Sequence, residues 1–263
     1  MPTTYAHYRF GCDALQTLPA EAQDMIRRHR SLFDFGVHGP DLLFYYKPLS
    51  KNQVNQTGYR SHERTGRDFF TQAAQTANAA HDREAALSYL YGVLCHFTLD
   101  RECHPYVGQK EKTGVSHSAI EASFDRYLME KDGLNPVTHR VTQHLLPSRD
   151  AAAVIAPFYA PLTVQEVYRA EKSMRFYLNL LIASGLKRTF LLSGMKLAGK
   201  KSMGDMFVPL TQNPNCVDSD EILFSHYQDA LALYPTLFTQ LSALLAGDAA
   251  ALGAGFDHTF GET

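Results

Sequence analysis

Residues 83–106 read Arg83-Glu-Ala-Ala-Leu87-Ser-Tyr-Leu90-Tyr91-Gly92-Val-Leu94-Cys95-His96-Phe97-Thr-Leu-Asp100-Arg-Glu-Cys103-His104-Pro105-Tyr106. Leu87, Leu90, Tyr91, Leu94 and Phe97 recur at steps of three and four, the period of a helix with an apolar face. The spacing predicts a helix over Arg83–Cys103. Pro105 is expected to stop it, because the residue before a proline leaves the α region. The same stretch carries His96, Asp100 and His104 four residues apart, so their side chains stack along one helix face. One metal ion accepts an imidazole nitrogen and a carboxylate oxygen from such a pair, each at about 2.0–2.2 Å. The bland alternative is a polar patch on a core helix, with His96 satisfied by Asp100.

Helical periodicity continues outward from this stretch. Further helices are expected over Ala20–Arg30, Arg64–Ala80 (exposed), Ser116–Lys131, Val137–Leu146, Val164–Ala183 and Asp218–Leu245, the last kinked at Pro235. Gly36–Ser61 reads as irregular, punctuated by Gly39, Pro40, Pro48 and Gly58. Strict two-residue alternation is nearly absent. The expected fold is all-α, one domain over 1–263, with the chemistry within 7–125 and the helices of 146–263 completing the core.

Composition narrows the function. The chain has 263 residues, 45% of them apolar and 20% charged, as in ordinary globular proteins. Its 25 Lys and Arg against 27 Asp and Glu give a net charge of −2, which excludes a global polycation that coats nucleic acid. Four cysteines are too few for a disulfide scaffold. No apolar run reaches about 18 residues, so no transmembrane helix is expected. The first residues lack a signal-peptide pattern, and a cytoplasmic location is expected.

Eight of the 12 histidines fall within the first 117 residues. His117 and Glu121 repeat the four-residue His–acid step, although Ser118-Ala-Ile-Glu121 also reads as a helix capping box. Gly39-Pro40-Asp41 reads as a helix start or as a carboxylate on a rigid turn. His7 and His62 lie near expected helix starts. Two His-x-x-x-acid pairs about 21 residues apart, with His104 between them, fit antiparallel helices that share a metal, which relieves buried imidazoles and carboxylates of their desolvation cost.

These motifs resemble the zinc-dependent phospholipase C family, whose all-α fold is shared with secreted nucleases of the S1/P1 type. The similarity is carried by Gly36-x-x-Gly39-Pro40-Asp41-Leu-Leu-Phe-Tyr, Gly92-x-Leu-Cys-His96-x-x-x-Asp100-x-x-x-His104-Pro105-Tyr106 and His117-Ser-x-x-Glu121, with a weaker echo at Asn213-Pro214 before Phe224. The resemblance implies a zinc-dependent hydrolase of phosphate esters such as phospholipids or nucleotides. It implies that His62, His96 and Asp100 hold one zinc, and His104, His117 and Glu121 a second. Asp100 would bridge to a third, shared with His7, and Asp41 would orient or deprotonate the attacking water. Secreted relatives complete the third zinc with an amino-terminal residue, usually tryptophan. This chain has no tryptophan and begins Met1-Pro2, so two zinc ions are expected and a third stays open.

Two other readings compete. A His-Asp-type phosphohydrolase would use the His81-Asp82 dipeptide, and a non-catalytic protein of the same fold would bind metal or phosphate without turnover. Lys187, Arg188, Lys196, Lys200 and Lys201 form a run without acids, interleaved with Phe190, Leu191, Leu192 and Met195. A solvated helix face or core packing accounts for it; contact with a nucleic-acid phosphate backbone or peripheral contact with an anionic membrane is the alternative. Cys12, Cys95, Cys103 and Cys216 read as small hydrophobes, a thiolate ligand being the lesser reading. His29, His139, His144, His226 and His258 read as surface or packing residues, and His38 is left open.

Overall fold

The computed structural model describes residues 4–197, 199 and 201–261, without the side chains of Lys201 and Ser202. Met1, Pro2 and Lys200 lie outside the described residues. Among those described, every regular element is a helix, and the only β pairing is a single bridge between Thr65 and Thr259. The all-α expectation holds. Among the described residues no helix is long and apolar enough to cross a membrane.

In chain order the α-helices are α1 (Thr4–Gln16), α2 (Ala20–Arg28), α3 (Arg30–Gly36), α4 (Gln53–Glu63), α5 (Gly66–Asn78), α6 (Arg83–Glu111), α7 (His117–Lys131), α8 (Arg149–Ile155), α9 (Val164–Leu181), α10 (Gly185–Leu197) and α11 (Val217–Leu245). A 3-10 turn, Gly39–Tyr45, links α3 to α4. The helix α6 is the axis of the fold. It packs against α1, α2, α3, α5, α7, α8 and α11, and Leu87, Leu90, Tyr91, Leu94 and Phe97 are all buried.

Several boundaries differ from the sequence-based expectation. Pro105 does not stop α6. Pro105 itself is exposed, while Val107 and Gly108 beyond it are buried, and the helix runs on to Glu111. Val137–Leu146 forms turns and no helix. It lies between Pro136 and Pro147, and Val137, Thr138, Val141 and Thr142 are β-branched, which weakens helix propensity. Part of the stretch expected to be irregular is α4, started by Asn52 and Asn55 in a reciprocal capping box. The helix α5 is not an exposed one: Phe69, Phe70, Ala73, Ala74 and Ala77 are buried. Pro235 lies within α11, which continues to Leu245.

The contact of α3 with α6 is built on glycine. A Cβ on Gly36 would strike the Tyr89 carbonyl and the Gly92 backbone, and one on Gly92 would strike Phe33 and Gly36. Backbone therefore packs on backbone, and this fixes the turn after α3 over the face of α6 that carries His96.

In the second half of the chain, Glu171 of α9 is fully buried. Its Oε2 accepts the Ser148 N–H, and its Oε1 has no hydrogen-bond partner. Burial pushes this carboxyl up to about 8. The folded state thus keeps a proton that the unfolded chain releases near pH 4.5. Stability is fully present below that pH and falls as pH rises towards 8, by at most about 1.4 kcal/mol per pH unit. Glu171→Gln is expected to remove this slope, with denaturant midpoints measured from pH 5 to 9. Parallel wild-type and variant curves over that range would sink the assignment.

Candidate metal centre

The site forms where α1, α4, α6, α7 and the Gly39–Tyr45 turn converge. Asp125 of α7 sets the position of α1: its two oxygens accept the N–H groups of Tyr5 at 3.1 Å and Ala6 at 2.8 Å. These are free donors of a helix N-terminus, where a carboxylate is favoured. The next residue, His7, is aimed at α6. Its Nε2 lies 3.3 Å from Asp100 Oδ1, and its ring lies 4.4 Å from that of His96, centroid to centroid.

Gly39 closes the other side. It has a φ of +49°, and an added Cβ would come 2.5 Å from His96 Cδ2. Only glycine satisfies both the left-handed backbone and the imidazole against it. Asp41 follows on this turn, and its Oδ1 lies 3.0 Å from His62 Nε2. His62 comes from the last turn of α4 and not from a helix start.

Three groups of donors result, each with its ligand atoms within 4.8 Å of one another: His7, His96 and Asp100; Asp41, His62 and His96; and His104, His117 and Glu121. Every residue that the resemblance assigned to zinc or to the attacking water falls in one of them. The third group is the set that the resemblance implied for one zinc. In the other two, His96 is shared, Asp100 groups with His7, and His62 groups with Asp41. Asp100 Oδ1 is also 3.8 Å from His104 Nε2, which ties the groups together.

The proton inventory explains why this arrangement fits a metal. His62 Nδ1 donates to the Gly58 carbonyl and His104 Nδ1 to the Phe260 carbonyl, each at 2.9 Å. His117 Nδ1 is 3.1 Å from Glu111 Oε2. A carbonyl only accepts, so Nδ1 carries the hydrogen and a neutral ring turns its Nε2 lone pair inward. Those lone pairs face carboxylates: His62 towards Asp41, and His117 Nε2 towards Glu121 at 3.1 Å. Two acceptors at that distance need a cation between them. Without metal it is a proton: burial disfavours the charge on His104, yet Asp100 and Glu121 outweigh it and raise the ring to about 9. Burial is likewise outweighed by Asp41 at His62 and by Glu121 at His117, and both are raised. A divalent ion replaces such protons.

His96 carries the most direct sign. It is fully buried, and neither ring nitrogen makes a hydrogen bond, although Nε2 lies 3.1 Å from Asp100 Oδ2. His7 Nδ1 is similarly buried without a partner. Burial lowers His96 to about 4 against the pull of Asp100, so the ring is neutral and open to coordination at pH 7. Burial also opposes ionisation of Asp41, but His62 and His96 hold it at about 2. Such orphaned nitrogens with neighbouring carboxylates are the donor chemistry of zinc.

The structure also settles smaller expectations. Ser116, not Ser118, caps α7 through Ala119 N–H, so Glu121 is not a capping residue and turns to His104 and His117. His81 is exposed at the start of α6 and joins no donor group among the described residues, while Asp82 caps that helix. Cys95 and Cys103 are buried and ligate in none of these groups; burial pushes both thiols up. His38 and His144 form a buried pair, Nε2 to Nε2 at 2.8 Å, behind His7.

The sequence reading missed Asp125, Glu111 and Phe260. Phe260 lies more than 150 residues from His104 and packs against His62 and His96 as well. The last part of the chain therefore walls the centre. No sequence spacing connects it to the histidines.

The zinc dependent phospholipase C family matches residues 6–168, more than half of the 263. The chain belongs to this zinc-dependent phospholipase C family. The match covers all of the donor residues and stops within α9. No curated protein and no solved structure matches the chain. Membership makes it a relative of zinc-dependent hydrolases, which agrees with the fit of the donors to zinc.

Proposed function

We propose that this family member is a phosphodiesterase that hydrolyses phospholipids with bound zinc. The observation that carries the reading is the fully buried His96, whose ring nitrogens make no hydrogen bond although carboxylate oxygens of both Asp100 and Asp41 lie within 4.8 Å. His7, His96 and Asp100, with His62 and Asp41, would hold zinc at one end. His104, His117 and Glu121 would hold it at the other. When bound, zinc neutralises phosphate oxygens and brings the pKa of water towards about 7.

The protein's own groups then have distinct tasks. The carbonyls of Gly58 and Phe260 and the Glu111 carboxylate fix the tautomers of His62, His104 and His117. Asp125 holds α1 so that His7 reaches Asp100. Asp41, ionised well below neutral pH, orients a water by accepting its hydrogen bond. Its carboxylate can also take that water's proton.

Elemental analysis of protein purified without chelator or nickel, paired with hydrolysis of a chromogenic phosphodiester, tests the reading. Two or three zinc per chain, with turnover lost on chelation and restored by zinc, is the expected result. Zinc without turnover would turn the reading to a metal- and phosphate-binding protein. Turnover that survives complete metal removal would overturn it.

A further inference from the structure

The helix α10 lies outside the residues matched to the family and has no buried residue. At about 100° per residue, Leu186, Phe190 and Leu197 fall within about 40° of one another. They are 91%, 79% and 89% exposed, an apolar stripe facing water that Ser193 interrupts. Lys187 and Lys196 stand on either side of that stripe. The opposite side of the helix is also apolar: Leu191 and Met195 are half-buried and roof a groove of about 330 Å³. Among the described residues no charged one lines this groove, and Leu49 and Phe190, both exposed, line it as well. Tyr45, another of its lining residues, ends the same 3-10 turn that carries Asp41.

Charge follows the same geography. From Lys172 to Gly204 the chain has seven Lys and Arg and no Asp or Glu. The remainder has 18 Lys and Arg against 27 Asp and Glu. The side chains of Lys200 and Lys201 lie outside the described part; within it Lys196 is exposed, while Lys187 donates to the Asn179 and Ile182 carbonyls and Arg188 to the Val208 carbonyl. An acidic protein surface would match these cations but leave the exposed stripe and the uncharged groove unused. A bilayer with anionic lipids supplies both headgroup charge and hydrocarbon.

We infer that α10 is a membrane-docking helix: it lies in the headgroup region of an anionic bilayer, and the groove beneath it takes the acyl chain of a lipid. The docking stands on exposure and charge alone. The groove's part rests on the phospholipid reading above, since it leads from the bilayer to the turn of Asp41.

Flotation with vesicles of phosphatidylcholine, alone or with one third phosphatidylglycerol, at low salt and at high salt, tests it. The protein is expected to bind the anionic vesicles, more weakly at high salt. Leu186→Ser/Phe190→Ser/Leu197→Ser is expected to lower that binding by about tenfold or more while keeping the wild-type melting curve, because these side chains are already in water. Gly194→Phe, placed where an added Cβ meets nothing within 4 Å on the groove wall, is expected to keep vesicle binding and lower hydrolysis of vesicle lipid relative to a water-soluble ester. Equal binding by the triple variant and the wild type, or none by the wild type, would overturn the docking helix. So would a dimer in sedimentation that the triple variant dissociates, since α10 would then be a subunit interface. An unchanged hydrolysis ratio in Gly194→Phe would remove the groove from the proposal. Vesicle binding by a protein that hydrolyses no phosphodiester would overturn the enzymatic reading and leave the docking intact.

Discussion

Asp100→Ala is expected to lose bound zinc and to lower phosphodiester hydrolysis beyond the roughly 10–100-fold that loss of an outer hydrogen-bond partner costs. Asp100 is buried and lies within reach of three imidazoles, His7 at 3.3 Å, His96 at 3.1 Å and His104 at 3.8 Å. These come from α1 and α6, and among the described carboxylates Asp100 is the one that lies within 4 Å of all three. Burial resists its ionisation, yet the neighbouring histidines hold it well below the usual carboxylate range. Removing it takes away the charge that balances them and the oxygens that connect two donor groups. Elemental analysis gives the primary readout, and Asp100→Asn keeps the side-chain volume as a control for folding. Wild-type zinc content in Asp100→Ala would refute the ligand assignment, whatever the activity.

Gly92→Val is expected to lower stability by about 3 kcal/mol or more, a melting shift on the order of 10 °C for a chain of this size. A new Cβ at this position meets the Phe33 carbonyl and the Gly36 backbone, and neither can rotate away as a side chain would. The helices α3 and α6 must separate. The turn after α3 then moves off His96, so the metal centre loosens with the fold. Gly92→Ala should act in the same direction with a smaller shift. Melting both variants with chelator present separates packing from metal binding. A Gly92→Val protein that melts within about 2 °C of the wild type would show that the contact yields freely.

Much of this was legible in the sequence because helices write their contacts locally. Leu87, Leu90, Tyr91, Leu94 and Phe97 announce the buried face of α6, and His96, Asp100 and His104 share a face because four residues make about one turn. The failures are also physical. Local rules place a stop at Pro105, but the helix continues because the residues beyond it, Val107 and Gly108, are packed into the fold. The Ser118–Glu121 capping pattern is a real local signal, overridden by two imidazoles that approach Glu121.

By itself the sequence determined the all-α class, the family, and the histidines and carboxylates that carry the candidate chemistry. Only the tertiary structure decided how those donors group, since His7, Asp41 and His62 reach α6 from separate elements. It also decided which groups hold them. Asp125, Glu111 and the Phe260 carbonyl act across contacts that no periodicity encodes, because a buried polar atom is satisfied by whatever the fold brings beside it, at any distance along the chain.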